Sequence, residues 1–256
     1  MFQHTIVRTP CPKVCDGITS APELGKPIYE KALKQHEAYI EALKKTGVDV
    51  MVLPPLPDFP DSCFMEDVAV VAPECAIVTN PGAASRNKEA EYVEEALLHF
   101  YDKKDIGHIT APGTLEGGDV MKCGNTFYIG ISARTNPEGI RQFAEFFAKY
   151  GYKTEAVPLK KVLHLKTGVN YLENNKMLIA GEFMESPQFS SFDWIKVPEE
   201  EAYGANCIWM NGTVIVPKGY PTVKKCVEEA GYPVIEVDTS EFRKIDGGLS
   251  CLSLRF

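Results

Sequence analysis

The chain closes on Lys244-Ile245-Asp246-Gly247-Gly248-Leu249-Ser250-Cys251-Leu252-Ser253-Leu254-Arg255-Phe256, a glycine-rich turn running into a strand-like tail. Working outward from it, similar polar, turn-rich clusters recur near Asp16, Glu66-Asp67, Glu116, His164 and Asn206. The successive intervals from Asp16 to Cys251 are 50, 50, 48, 42 and 45 residues. Repetition at such a period marks a radial or solenoid architecture. Each unit reads as a cluster, a short strand pair, usually a helix, and a further strand. Five units with six clusters leave one unit divided between the termini, so Thr5-Ile6-Val7-Arg8 is expected to pair with Cys251-Leu252-Ser253-Leu254. The predicted fold is α/β, a five-unit αβ propeller closed by the N- and C-terminal strands, with the clusters facing a central channel. A doubly wound sheet is the rival, but the hairpins argue against it.

Helical periodicity supports the units. Tyr29, Leu33, His36, Ile40 and Leu43 form one apolar stripe before Gly47, as an amphipathic helix with a glycine stop requires. Val93, Ala96, Leu97 and Phe100 repeat it. Asn136-Pro137 starts a third helix over Ile140, Phe143, Ala144 and Phe147, which Gly151 stops. Pro221 to Gly231 gives the fifth, and Pro187 to Trp194 only a short turn or helix. Strands are predicted at Val48–Leu53, Ile106–Ala111, Tyr152–Leu159, Asp193–Val197 and Pro233–Val237.

Bulk properties narrow the class. The 256 residues are 45% hydrophobic and 24% charged, enough for a substantial core in a single domain, residues 1–256. No apolar run approaches a membrane span and no signal peptide opens the chain, so a cytoplasmic protein without membrane contact is expected. The eight cysteines show no Cys-x-x-Cys pair, which predicts reduced, mostly buried thiols and neither a metal nor another cofactor. A net charge of −8 disfavours nucleic acid and favours a cationic small molecule. Trp194 and Trp209, without a basic run nearby, read as packing anchors rather than a base-stacking platform. Gly117-Gly118 and Gly247-Gly248 lack the context of phosphate loops.

Chemistry concentrates in three clusters. Cys251 follows a glycine-rich turn, His164 stands in Leu163-His164-Leu165-Lys166-Thr167-Gly168, and Glu116 opens Glu116-Gly117-Gly118-Asp119. Equivalent points of a radial array face one axis, so a thiol, an imidazole and a carboxylate can meet there and perform nucleophilic catalysis. Each alone has a plainer reading. Cysteine is usually core, the Gly-Gly pair is expected to supply positive φ in a turn, and His4, His36, His99 and His108 read as satisfied structural histidines. Glu199-Glu200-Glu201 and the acids from Glu89 to Glu95 read as solvated.

With Phe59-Pro60-Asp61-Ser62-Cys63-Phe64-Met65-Glu66-Asp67 added, the four segments resemble those of the dimethylarginine dimethylaminohydrolase family over essentially the whole chain. That resemblance implies the five-unit propeller of the guanidine-modifying superfamily, the pentein fold, and hydrolysis of Nω-methylated arginine to citrulline and a methylamine. It implies Cys251 as nucleophile, His164 as proton carrier and Glu116 as its orienting acid. Asp67 would bind the guanidinium, Glu66 would support the site, and Phe64 would pack along the substrate stem. Asp61 and the backbone near Ile18 would hold the α-ammonium, and Arg86 and Arg134 the α-carboxylate. It also suggests a homodimer.

One departure chooses within the superfamily. Arginine deiminases and amidinotransferases carry His-x-Asp where this chain has Lys166, so free arginine is expected to be a poor substrate. Those two activities are the alternative, and a propeller that only binds its ligand is the third reading. Cys63 is expected to be a packed hydrophobe.

Overall fold

The two ends of the chain pair with each other. In the computed structural model, which describes residues 1–256, β1 (His4–Arg8) is antiparallel to β15 (Ser253–Arg255) and parallel to β2 (Asp49–Leu53). The register Thr5↔Arg255, Ile6↔Leu254, Val7↔Ser253 starts two residues later than expected at the C-terminal end. Cys251 stays outside the ladder, in the 3₁₀ turn Ser250–Leu252.

Four further three-stranded sheets repeat this plan. They are β3 (Ala69–Val71), β4 (Ala76–Val78) and β5 (Ile106–His108); β6 (Val120–Cys123), β7 (Thr126–Ile131) and β8 (Lys153–Pro158); β9 (Val169–Tyr171), β10 (Lys176–Ile179) and β11 (Asp193–Lys196); β12 (Ile208–Met210), β13 (Thr213–Pro217) and β14 (Val234–Val237). In each, the first two strands form an antiparallel hairpin and the third runs parallel to the second after a crossover. The first strand of each sheet lies inward, β15 beside β3, β6 beside β9 and β9 beside β12. The fold is a five-unit αβ propeller, closed by its own termini so that no long sheet edge is left open.

The crossovers carry α1 (Tyr29–Lys45), α2 (Glu94–Leu97), α3 (Pro137–Ala148) and α4 (Pro221–Glu229); α5 (Ser240–Arg243) follows β14. In α3 the Asn136 side chain accepts from the Gly139 N–H at 2.8 Å and Pro137 opens the helix, which satisfies one of the free N–H groups of the first turn. Phe143 and Phe147 from its buried face stack at 4.3 Å and meet Phe127 of β7, each burial contributing roughly 1.5–3 kcal/mol. Gly47 and Gly151, both at φ 83°, end α1 and α3 in the left-handed conformation that side chains disfavour.

The stripe of α1 is turned slightly from expectation. Ala32, Gln35, His36, Tyr39, Ala42 and Leu43 are buried, because small Ala32 and Ala42 admit close packing and the Tyr39 hydroxyl reaches inward to donate to the Leu249 carbonyl at 3.0 Å. His36 is not satisfied: its Nε2 has no partner, and burial lowers it to about 4. The second unit's helix is mostly 3₁₀, over Ala84–Tyr92, with only one α-helical turn after it. Glu201 is not merely solvated; it accepts from the Thr222 and Val223 N–H groups at the start of α4, where a carboxylate suits the helix dipole. No helix is long and apolar enough to cross a membrane.

Candidate active site

Before each inner strand the chain makes a 3₁₀ turn: Met65–Asp67 before β3, Gly117–Asp119 before β6, Leu165–Thr167 before β9, Glu199–Ala205 before β12 and Ser250–Leu252 before β15. These turns touch one another around the axis, so residues from five separate units share one wall. Asp16 is the exception among the six clusters. It follows β1 on the surface and pairs with Lys26 at 2.7 Å.

Close approach, not positive φ, explains the Gly-Gly pairs. A Cβ on Gly117 would lie 1.9 Å from the Glu66 carbonyl oxygen, and one on Gly118 would lie 2.7 Å from His164 Nδ1. A Cβ on Gly247 would meet the Phe64 ring at 2.3 Å. In the turn that carries Cys251 the positive φ belongs to Asp246, at 59°, whose carboxylate accepts from the Ser20 N–H and hydroxyl.

Nine of the ten expected site residues line one small cavity of about 40 Å³: Ile18, Asp61, Phe64, Asp67, Arg86, Glu116, Arg134, His164 and Cys251, joined by Leu163, Ile245, Asp246 and Gly247. The last four were not among the expected site residues: Leu163, Asp246 and Gly247 flank the motifs, and Ile245 contributes apolar wall, which leaves no chemical signal. Glu66 is the one that does not line it. Its carboxylate turns to the other side of the channel, where it meets Lys166 at 2.6 Å, Arg255 at 2.8 Å and the Ser250 hydroxyl at 2.8 Å. These contacts tie it to the turn that carries Cys251 rather than to the cavity, so it is placed to support the site and not to touch a ligand there. Lys166 follows it away from the cavity. Burial lowers Lys166, against the pull of Glu66.

His164 Nε2 lies 2.8 Å from Glu116 Oε2. Burial opposes a charged imidazole, but the hydrogen bond to Glu116 and the charges of Asp67 and Asp119 hold His164 up to about 9. Reciprocally, the imidazole outweighs burial and holds the Glu116 carboxyl below its usual range. The other Glu116 oxygen accepts from the Ala83 N–H at 3.0 Å and faces Arg134 Nη1 at 3.5 Å. A histidine so held is protonated near neutral pH and able to donate.

Cys251 is buried, and burial, with Glu66 and Asp67 nearby, pushes its thiol up to about 12; the Gly248 N–H, 3.4 Å from Sγ, and Lys166 act in the opposite sense. The turn that carries it is pinned by Asn206, whose side chain accepts from the Ser250 N–H at 2.9 Å and donates to its hydroxyl at 3.1 Å. A cation placed in the cavity would oppose the two carboxylates and favour the thiolate.

The acids and arginines divide as follows. Asp67 accepts from the Gly118 N–H at 3.1 Å and from Arg86 Nη1 at 2.5 Å. Asp61 accepts from the Ile18 N–H at 3.0 Å, and burial raises it despite Arg86. Arg86 is buried against Asp67, Glu89 and the Asp61 and Phe64 carbonyls. It therefore does not present the free fork expected of a carboxylate clamp, and it makes Glu89 a buried ion-pair partner rather than a solvated acid. Arg134, whose side chain keeps 20% exposure, has the open reach. Ligand atoms of Asp67, Glu116 and His164 lie within 4.8 Å of one another, and each already has a partner in Arg86, Ala83 or one another.

A larger cavity of about 320 Å³ opens at the other mouth of the channel, behind Glu66, Lys166 and Arg255. It holds none of Cys251, His164 and Glu116. All eight cysteines are free, and Cys63 is buried as expected.

Residues 21–188 match the family model described as N,N dimethylarginine dimethylhydrolase, eukaryotic. Over 256 residues, all of both chains, the sequence is 55% identical to the N(G),N(G)-dimethylarginine dimethylaminohydrolase of Pseudomonas aeruginosa. A solved structure of the Pseudomonas aeruginosa protein, a mutant complexed with citrulline, superposes with a TM-score of 0.98 at 54% identity over all of both chains. The N-terminal domain of ArgZ, an arginine dihydrolase from cyanobacteria, shares the fold alone, with a TM-score of 0.86 at 20% identity over 100% of this chain and 97% of that one.

Proposed function

The chain belongs to the dimethylarginine dimethylaminohydrolase family, and on that premise we propose how its residues divide the work. The protein is a hydrolase of C–N bonds in methylated arginine, yielding citrulline and dimethylamine or methylamine. Cys251 is the nucleophile. Its thiolate adds to the guanidinium carbon, forming the S–C bond and a tetrahedral adduct. Collapse breaks the bond to the methylated nitrogen, which takes a proton from His164 and leaves as the amine. Water then adds to the S-bound amidinium carbon, giving one proton to His164, and the S–C bond breaks as the remaining hydroxyl proton passes to solvent, releasing citrulline and the thiolate.

The observation that carries this reading is the meeting of Cys251, the His164–Glu116 pair and Asp67 in one cavity, from four turns of the chain. Asp67 binds guanidinium nitrogens, and the substrate cation lowers the thiol from about 12 by offsetting the carboxylates beside it. Phe64 packs along the substrate stem, Asp61 and the Ile18 carbonyl receive the α-ammonium, and Arg134 meets the α-carboxylate with Arg86 as a second positive charge behind it. We also assign the chain as a single catalytic domain over residues 1–256, acting in the cytoplasm as a homodimer on a small cationic amino acid, with no nucleic-acid or membrane partner.

The test is citrulline formation from asymmetric dimethylarginine and, separately, from arginine, by the parent and Cys251→Ser. Turnover of the methylated substrate, lost in the variant, is the expected result. Preferential turnover of arginine would sink the specificity argument from Lys166, and citrulline formation by the variant would sink the role of Cys251.

A further inference from the structure

Asp119 closes the motif that Glu116 opens, yet it does not line the catalytic cavity. It is fully buried at 0% exposure, and a bare carboxylate there would cost several kcal/mol without donors around it. It has three. Its Oδ1 accepts from the Leu165 N–H at 3.0 Å, and its Oδ2 accepts from the Ser132 hydroxyl at 2.6 Å and the Thr135 hydroxyl at 2.7 Å.

Each donor leads to a different functional group. Leu165 is the residue after His164. The Thr135 hydroxyl accepts from the Glu116 N–H at 3.1 Å, so it carries the connection from Asp119 back to the acid. The Ser132 hydroxyl accepts from the Arg134 and Thr135 N–H groups at 3.0 and 3.1 Å and shapes the loop that projects Arg134. A Cβ on Gly82 would lie 2.4 Å from the Arg134 carbonyl oxygen, so that loop is also clamped from the neighbouring unit.

We propose that Asp119 is a positioning residue for the reaction: one buried carboxylate that sets the main chain under Glu116, Arg134 and His164 at once. The inference rests on the catalytic roles given above, and it deepens them. It explains why a carboxylate rather than an amide stands here. A carboxylate can accept all three bonds, whereas the single oxygen of Asn could serve only one side and its NH₂ would face hydroxyls already oriented as donors. Its negative charge also adds to that of Glu116 and Asp67 in favouring the charged imidazole, against burial and with Arg86, Arg134 and the Cys251 thiol on the same cavity wall.

Two variants test it, Asp119→Asn and the milder Thr135→Val, which removes the Thr135 bonds to both Asp119 and the Glu116 N–H but keeps Asp119 on Leu165 and Ser132. The primary readout is the titration of the His164 imidazole followed by NMR in the ligand-free protein, which does not depend on turnover. The expected result is a midpoint lowered from about 9 in both variants, more in Asp119→Asn. Turnover of asymmetric dimethylarginine should fall by up to about 100-fold in Asp119→Asn, as a misplaced reacting geometry costs, with KM rising in the same variant as Arg134 loosens. An unmoved His164 midpoint in folded Thr135→Val, or in Asp119→Asn, would overturn the proposal. If neither parent nor variant forms citrulline, the catalytic reading fails while the NMR titration still decides whether Asp119 sets the imidazole.

Discussion

Replacing Glu116 with Gln tests the electrostatic design of the site most sharply. The substitution preserves shape, and its amide oxygen can still accept from the Ala83 N–H, now at 3.0 Å from the carboxylate. The amide NH₂ then faces His164 Nε2 across the present 2.8 Å contact, so that nitrogen must accept and the imidazolium loses both a hydrogen bond and a counter-charge. If His164 returns from about 9 to its ordinary 6.5, the protonated fraction around pH 8 drops from about 0.9 to about 0.03, roughly a thirtyfold loss of the acid that releases the amine. The sign follows from a raised value: the proton is held below the ordinary value in both proteins and lost in the variant first as pH rises. The assay is kcat for citrulline formation across about pH 6 to 10. The parent's alkaline limb should lie near 9 and the variant's well below it, with the two rates converging toward the acid end. A variant slowed equally at every pH, with its limb unmoved, would refute the reasoning.

Arg134→Met should raise KM for asymmetric dimethylarginine by about 10- to 100-fold with a smaller change in kcat, since a carboxylate clamp acts on ground state and transition state alike; steady-state kinetics decide it. Gly118→Ala should abolish turnover while leaving the protein folded, because the new Cβ would sit 2.7 Å from His164 Nδ1 and turn the ring; circular dichroism beside the activity assay checks both halves. Lys166→Met should lower unfolding stability by about 1–3 kcal/mol, less than a fully broken buried pair because Arg255 still holds Glu66, as measured by urea denaturation. In the ligand-free protein Cys251 should be alkylated slowly at about pH 8, as a thiol pushed up to about 12 requires, and a guanidinium ligand without a leaving group should bring its thiolate absorbance forward to lower pH.

Much of the architecture was legible because it repeats. Helix stops at Gly47 and Gly151, the Asn136-Pro137 start and the spacing of polar clusters each report a local rule, and together they specify five units joined through Thr5–Arg8 and the C-terminal tail. The meeting of Cys251, His164 and Glu116 in one cavity was legible for the same reason, since equivalent turns face one axis. What sequence left hidden is direction. Glu66 and Asp67 are neighbours, but the 3₁₀ turn sends one to Lys166 and Arg255 and the other to Arg86 and Gly118. Glu89 sits in an acidic run whose other members are exposed or half-buried, and only the position of Arg86 draws it inside. Gly117, Gly118 and Gly247 advertise freedom in φ, whereas the structure uses them for the absence of a Cβ against Glu66, His164 and Phe64. The contacts of Asp119 are hidden in the sequence because its three donors come from residues 13 to 46 positions away.

The central claim is a covalent bond between Cys251 and the substrate carbon. Its most direct measurement is mass spectrometry of the protein quenched in acid during turnover of asymmetric dimethylarginine, followed by peptide mapping. The account predicts a mass increase equal to the substrate less dimethylamine, confined to the peptide carrying Cys251 and absent from Cys251→Ser. Citrulline accumulating with no adduct on that peptide at any quench time, or an adduct on another residue, would contradict it.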